Sequence, residues 1–384
     1  MRKVYVVGVG LTKIGRHFDK GLRELFAEAA LKAIDDTKGV NVEALVVGNM
    51  SSSSLCEQDN LGALLADYAG LTGKPAFKVE AACGSGGTAV FTGYSLVASG
   101  LFNVVMVGGV EKLTEYPTRT VTSALAQASD AEYELYFGAS FTGLNALIMR
   151  YYMEKYGVTR SEISEWPVLM HENASRNPYA QLPFKITKEQ VNKSQIIADP
   201  IRLYDASPIG DGAAAIILAS EEVARKITDT PVEIAGLGMA TDKLYLASRD
   251  KLDTFKATVE AAKVAYNMAN ISPKDVDVAE VHDAFSILGL INLEDLGFVE
   301  EKGKTAKLLC EGRFRPGDKP AVNPSGGLKA RGHPVGATGV YQVAEVAMQL
   351  RGDFPGTKVP EAKVGLAQSI GGVGSTIVVT ILKR

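Results

Sequence analysis

The sequence predicts an α/β protein with a mostly parallel sheet, made of two similar halves with a lobe inserted in the first. Three observations carry that prediction. Short β-branched runs alternate with helical patterns along most of the chain. A small-residue turn enters a largely apolar helix at the matching point of each half. Over residues 112–205 the alternation stops.

The apolar runs VYVVGVG (4–10), ALVVGN (44–49), VVMVGGV (104–110) and AAAIILA (213–219) have strand length. They lack apolar–polar alternation, as strands covered on both faces do. Leu22, Leu25, Phe26, Ala29, Ala30 and Ala33 recur at the 3.6-residue period and predict a helix over 22–34. A second helix is predicted over Thr88–Ala98. Strands and helices at this spacing imply crossover connections, hence the parallel sheet. The second half repeats the plan with strands VEIAGLG (232–238), VDVAEVH (276–282), VGLAQSI (364–370) and STIVVTIL (375–382), and helices Thr254–Met268 and Val340–Leu350. ACGSGGTAVFTGYSLVASG (82–100), followed by VVMVGG, parallels ARGHPVGATGVYQVAEVAMQL (330–350), followed by VGLAQSIGG. The halves are 1–222 and 231–384, joined through 223–231. In the lobe at 112–205 charges return and tyrosines gather (Tyr133, Tyr136, Tyr151, Tyr152, Tyr156), which suits a loop domain over a binding site.

Composition excludes several function classes. With 41 basic against 44 acidic side chains the net charge is -3, so a nucleic-acid surface has no basic excess to draw on. No charged residue occurs between Glu80 and Glu111 or between Lys363 and Lys383. Both stretches are broken by glycine turns, so they read as helix and strand buried within a protein and not as membrane spans. Glycine contributes 39 of 384 residues, about 10% against about 7% on average. Its clustering predicts tight loops where backbone approaches a ligand or another element. Three cysteines (Cys56, Cys83, Cys310) are too few for a disulfide scaffold and fit a reducing, cytoplasmic setting. The opening MRKVYVVGVG reads as a first strand and not as a signal segment.

Cys83 is the leading candidate for chemistry. It follows a strand-like run, sits in a glycine turn and precedes a helix, where the unpaired N–H groups would favour thiolate and could hold an oxyanion. A cysteine nucleophile needs an imidazole to take its proton. His333 lies in NPSGGLKARGHPVGATG, with five glycines within 326–339, and His282 follows a strand in AEVHDAF. His17 and His171 read as an exposed and a structural histidine. No His/Cys pair has zinc-ligand spacing, so no metal is expected. GVGLTKIG matches no nucleotide-binding pattern. Cys56, Cys310, Trp166 and the turn Asp205–Gly212 read as structural.

These residues together resemble the thiolase superfamily: CGSGG at Cys83, HDAF at 282–285, NPSGG…GHPVGATG at 323–339, SIGGVG at 369–374 and DASPIGDGAAA at 205–215, in the family's own order. HDAF in place of the family's commoner NEAF is similar to the branch of sterol-carrier-type and archaeal acetoacetyl-CoA thiolases. The resemblance implies a five-layered αβαβα fold, an inserted loop domain and dimerisation through the first half. It implies that Cys83 takes an acyl group from acyl-CoA, that His333 activates the thiol and contributes to an oxyanion hole, and that His282 completes that hole. The N–H groups of Cys83 and Gly371 would form a second hole, with Phe285 beside the substrate. Coenzyme A thioesters would be the substrates, with no further cofactor. A homodimer or tetramer is implied, and a complex with HMG-CoA synthase and a small OB-fold/zinc-ribbon protein.

The chain departs from the family where most thiolases carry a second cysteine for proton transfer. Ser369 stands just before the final IGG, and Ala284 stands where the sterol-carrier branch often has HDCF. An alcohol is too weakly acidic to replace a thiolate as base without strong activation. The first expectation is therefore an acyl-CoA C-acyltransferase, an acetoacetyl-CoA thiolase working in either direction. A decarboxylating ketosynthase, a retro-aldolase and a non-catalytic lipid-carrier or complex subunit are the alternatives that the missing thiol leaves.

Overall fold

The computed structural model describes residues 2–384. The first half contributes β1 (Val4–Leu11), β2 (Ala44–Gly48), β3 (Ala76–Val79) and β4 (Val104–Glu111). The lobe follows, with a short ribbon of β5 (Ile196–Ala198) and β6 (Ile201–Arg202), and then β7 (Gly212–Ser220). The second half contributes β8 (Val232–Thr241), β9 (Val278–Glu280), β10 (Ala321–Val322), β11 (Val364–Gly371) and β12 (Thr376–Lys383). The main sheet runs β3-β2-β4-β7-β1-β8-β12-β11-β9-β10. Read outward from the β1–β8 junction, the two halves have the same strand order. They also share pair directions: two antiparallel pairs, then two parallel ones. The junction rests on two residue pairs, Tyr5–Glu233 and Val6–Val232.

The expected mostly parallel sheet is thus mixed. β11 and β12 are separated by a turn between Gly371 and Thr376, too short for the crossover that a parallel neighbour needs. In the first half the corresponding strands, β4 and β7, are antiparallel across the whole lobe.

Helix α1 (Leu22–Asp36) covers the outer face of the first half, and α2 (Ser85–Ala98) packs on its inner face. In the second half α3 (Lys256–Ala269) lies outside, with α4 (Ser286–Asp295) beside it, and α5 (Thr338–Arg351) lies inside. α2 and α5 pack on each other and on strands of both halves, which makes the five αβαβα layers and explains the uncharged stretch at α2. The repeat extends to single residues. A Cβ on Gly10 would stand 1.9 Å from Ala29 O of α1, and one on Gly238 would stand 2.0 Å from Ala261 O of α3. Each half therefore uses glycine in its first strand to let a helix backbone press onto the sheet. α4 was not predicted because it is buried on all sides and shows no polar face to set a period.

In the lobe, Leu144, Met149, Trp166 and Met170 pack with Ile287 and Ile291 of α4 in one apolar cluster. The lobe is thereby anchored on the second half although it is inserted in the first. Among the described residues no helix is long and apolar enough to cross a membrane.

Candidate active site

Cys83 occupies the bend between β3 and α2. The residue before it, Ala82, has φ of +53°, a left-handed conformation that costs a non-glycine residue of order 1–3 kcal/mol. Ser85 holds the bend: its Oγ accepts the Ala81 N–H at 2.9 Å and donates to Ala82 O at 2.6 Å. The end of β11 presses on the other side, where a Cβ on Gly371 would stand 2.2 Å from Ala81 O. A side chain there would push the strand off the bend, which accounts for glycine at the predicted Gly371.

Burial pushes the Cys83 thiol up to about 12, with the nearby Glu111 carboxylate adding to the shift and the residue's own N–H opposing it. The sequence argument for a lowered pKa at a helix start is therefore reversed in the resting protein, because desolvation outweighs the helix end. Glu111 itself, at the end of β4, is fully buried. It accepts N–H groups from Met50 (3.0 Å), Ser51 (3.0 Å) and Gly336 (2.9 Å), together with the Asn49 amide and the Ser51 hydroxyl. It pins the GHPVGATG loop of the second half to the first. Sequence reasoning missed it; the signal was an acidic residue closing a strand that is otherwise uncharged.

His282 and His333 meet edge to face, with ring centroids 5.1 Å apart and planes at 88°. His282 follows β9. Its N–H donates to Gln368 Oε1 at 3.3 Å, its carbonyl accepts from Asn292 at 2.8 Å, and its Nδ1 accepts the Ile370 N–H at 3.3 Å. Burial, with His333 and Arg331 nearby, holds its pKa well below 6.5. His333 Nδ1 lies 2.7 Å from the Thr338 hydroxyl, which in turn donates to Pro334 O at 3.3 Å. Burial and Arg331 bring His333 down to about 3, so both rings are neutral.

Cys83, His282 and His333 are 8%, 2% and 6% exposed and line one cavity of about 990 Å³. Phe285, Ala284 and Gly372 also line it; Gly371 and Ser369 are not among its lining residues. On β11 the side chain of Gln368 reaches Thr258 and Asn292 in the outer layer, while Ser369 faces inward. The Ser369 Oγ would lie 3.0 Å from a Cβ on Gly87 and 2.8 Å from one on Gly339, at the crossing of α2 and α5, and it has no hydrogen-bond partner among the described residues.

Other predicted residues fall as follows. Lys13, Arg16 and His17 line the same cavity at its exposed rim, where His17 Nε2 lies 2.8 Å from Lys13 O. Reading His17 as merely exposed missed that position. His171 is fully buried and brought down to about 4 by burial and Lys329, with Nδ1 against Phe184 O. Trp166 packs as expected and also donates to Asp283 at 2.9 Å; Asp283 accepts the Leu328 N–H at 2.7 Å, tying HDAF to the NPSGG loop. In the DASPIGDG turn, Asp205 pairs with Arg160 at 2.6 Å and Asp211 with Lys112 at 2.8 Å. Cys56 packs near Cys83 on a carbonyl, and Cys310 is exposed.

Comparison with known proteins places this geometry in a family. Residues 4–222 match the family described as "Thiolase, N-terminal domain" and residues 238–384 that described as "Thiolase C-terminal domain-like". The chain is 47% identical to an acetyl-CoA acetyltransferase of Methanothermobacter thermautotrophicus, covering 100% of both. It is 44% identical to one of Methanocaldococcus jannaschii, covering 100% of this chain and 99% of that one. Among solved structures, the Ltp2-ChsH2(DUF35) aldolase superposes with a TM-score of 0.85 at 23% identity, covering 100% of this chain and 98% of that one, a likeness of fold. With both family halves matched in order around a cysteine and two histidines, the chain belongs to the thiolase family.

Proposed function

We propose that the chain is an acyl-CoA C-acyltransferase, acting as an acetoacetyl-CoA thiolase that condenses two acetyl-CoA and runs the reverse thiolysis. The observation that carries this is the convergence of Cys83, His282 and His333 on one buried cavity. The names of the two archaeal relatives support the same substrate class. A thiol held at a bend takes the acyl group and divides one hard step into two. Neutral His333 takes the thiol proton as the sulfur attacks. His282, with Nδ1 occupied, presents Nε2–H to the developing oxyanion. The N–H groups of Cys83 and Gly371 are assigned to the second oxyanion, with Phe285 against the acyl chain. Coenzyme A enters as substrate, and the cationic side chains of Lys13 and Arg16 at the rim, beside His17, suit its phosphates.

The setting is cytoplasmic, in the mevalonate pathway. The oligomer is a homodimer or tetramer built through the edge strand β3, whose outer side has no strand neighbour among the described residues. HMG-CoA synthase and an OB-fold/zinc-ribbon protein are the proposed partners; the DUF35 component named in the Ltp2-ChsH2(DUF35) aldolase supports an accessory protein.

The test is thiolysis of acetoacetyl-CoA by the purified chain, with Cys83→Ser alongside. Turnover that the variant loses is expected. Equal turnover by both overturns the reading, and turnover of malonyl-CoA alone would replace it with a decarboxylating condensation.

A further inference from the structure

A Claisen condensation requires a base for the α-proton of the second acetyl-CoA, and the cavity restricts which group that is. Its titratable lining consists of Cys83, His282, His333 and the rim residues Lys13, Arg16 and His17. Cys83 carries the acyl group at that stage. His282 has its Nδ1 lone pair committed to the Ile370 N–H, so its neutral ring bears the proton on Nε2 and donates. The Ser369 hydroxyl is buried between α2 and α5 against Gly87 and Gly339, outside the lining, with no partner among the described residues to activate it. Cys56 and Cys310 lie outside the lining as well. His333 is placed differently. The Thr338 hydroxyl donates to Pro334 O, so its oxygen accepts from His333 Nδ1–H, and the Nε2 lone pair is left for chemistry.

We propose that His333 is the single general base of both half-reactions, taking first the thiol proton of Cys83 and then the α-proton of the second acetyl-CoA. This rests on the acyltransferase reading above. In the first half-reaction Nε2 accepts the S–H proton while sulfur attacks the thioester carbonyl. The bond from carbonyl carbon to the coenzyme A sulfur breaks, and the departing sulfur takes the proton from His333, leaving as free thiol. The base is then neutral again. In the second, Nε2 accepts a methyl proton of acetyl-CoA. The C–H electron pair forms the enolate, held by His282 Nε2–H, and its carbon attacks the acyl carbonyl. The bond to Cys83 breaks, and the sulfur leaves with the electron pair and regains the proton from His333. Two acetyl-CoA become acetoacetyl-CoA and coenzyme A, with no net proton change on the protein. One base suffices because each half-reaction returns it to the neutral state in which it began.

The experiment reads enolisation apart from acyl transfer. Cys83→Ala is incubated with acetyl-CoA in D2O, and loss of methyl protons is followed by NMR. Exchange is expected to persist within about threefold when Ser369→Ala is added and to fall about a hundredfold or more when His333→Asn is added, as loss of a general base does. A second measurement uses Ser369→Ala in the otherwise native chain, where kcat for thiolysis is expected within about threefold of the parent. Exchange that survives His333→Asn overturns the proposal. So does a hundredfold loss of thiolysis in Ser369→Ala with acylation of Cys83 by labelled acetyl-CoA intact. Absence of any labelled adduct on Cys83 in the native chain is a separate result that removes the acyltransferase reading itself.

Discussion

The N–H of Ile370 donates to Nδ1 of His282 at 3.3 Å, and that bond decides what His282 can do. An imidazole whose Nδ1 accepts must, when neutral, carry its hydrogen on Nε2, so the ring is a donor and not a base. The prediction is that a side chain preserving a donor retains more activity than one that removes it. His282→Ala is expected to lower kcat for thiolysis about 10²–10³-fold, as loss of one oxyanion donor does, and His282→Asn to lose clearly less. Equal losses in the two variants would show that the ring acts otherwise.

Cys83 is a thiol at rest. With its pKa pushed up to about 12, the thiolate fraction at pH 8 is about 10⁻⁴, against roughly a quarter for an ordinary cysteine of pKa about 8.5. Its alkylation by iodoacetamide, followed by peptide mapping, is expected to rise about tenfold per pH unit and to keep rising above pH 9. The exposed Cys310 is expected to react before it at pH 8. A plateau for Cys83 near pH 7 would mean a preformed thiolate.

His333 links the site to stability. Its pKa is about 3 in the folded chain against about 6.5 when unfolded, so below pH 6.5 the unfolded state binds the extra proton. The contribution is fully present above 6.5 and is lost as pH falls toward 3. Between pH 7.5 and 5 the loss from this residue is about 2 kcal/mol. Asp283 shifts the opposite way, raised to about 6 by burial, so the difference between the native chain and His333→Asn isolates the histidine. Denaturant midpoints at the two pH values are expected to move less in the variant; identical shifts would contradict the assignment.

The fold was legible because strand runs and glycine turns are local. The pairs Gly8/Gly10 and Gly236/Gly238 stand at equivalent points of VYVVGVG and VEIAGLG, and each lets its helix onto the sheet. The candidate site was legible for the same reason: Cys83 and His333 sit in glycine loops at helix starts. What stayed hidden depends on tertiary facts. Strand parity decides that Ser369 faces the α2–α5 crossing while Gln368 faces outward, and a sequence does not say which face of a strand looks inward. Glu111 became visible as a clamp once Met50 and Gly336 were brought together across the two halves. The reversed pKa of Cys83 likewise follows from burial, which position at a helix start does not reveal.

Arg331 and Glu345 form a fully buried ion pair at 2.9 Å, with the guanidinium 5.0 Å above the Tyr341 ring. Arg331 stands two residues before His333, so the pair fixes the loop that carries this histidine. Removing one partner leaves a buried charge uncompensated, which costs about 3–5 kcal/mol. Glu345→Ala is expected to lose that much in denaturant unfolding and to lower kcat. Replacing both residues with apolar ones of similar volume is expected to recover most of the stability. A Glu345→Ala loss below 1 kcal/mol would show that the pair holds nothing.

The rim residues Lys13, Arg16 and His17 offer a final separation of roles. Lys13 and Arg16 are exposed at the edge of the cavity whose buried end holds Cys83, a distribution that suits a substrate with a charged end and a reactive end. If the phosphates of coenzyme A lie there, Lys13→Ala and Arg16→Ala raise KM for acetyl-CoA about fivefold each with kcat unchanged, since an exposed ion pair is worth up to about 1 kcal/mol. The effect shrinks as salt screens the charges. Acetyl-pantetheine, which lacks the nucleotide end, is the control, and its KM is expected to be the same in the native chain and in both variants. Variants that raise KM for both thioesters equally would place the phosphates elsewhere and give the rim a structural part. A fall in kcat with unchanged KM would contradict a purely binding role, because a group that meets ground state and transition state alike alters affinity alone.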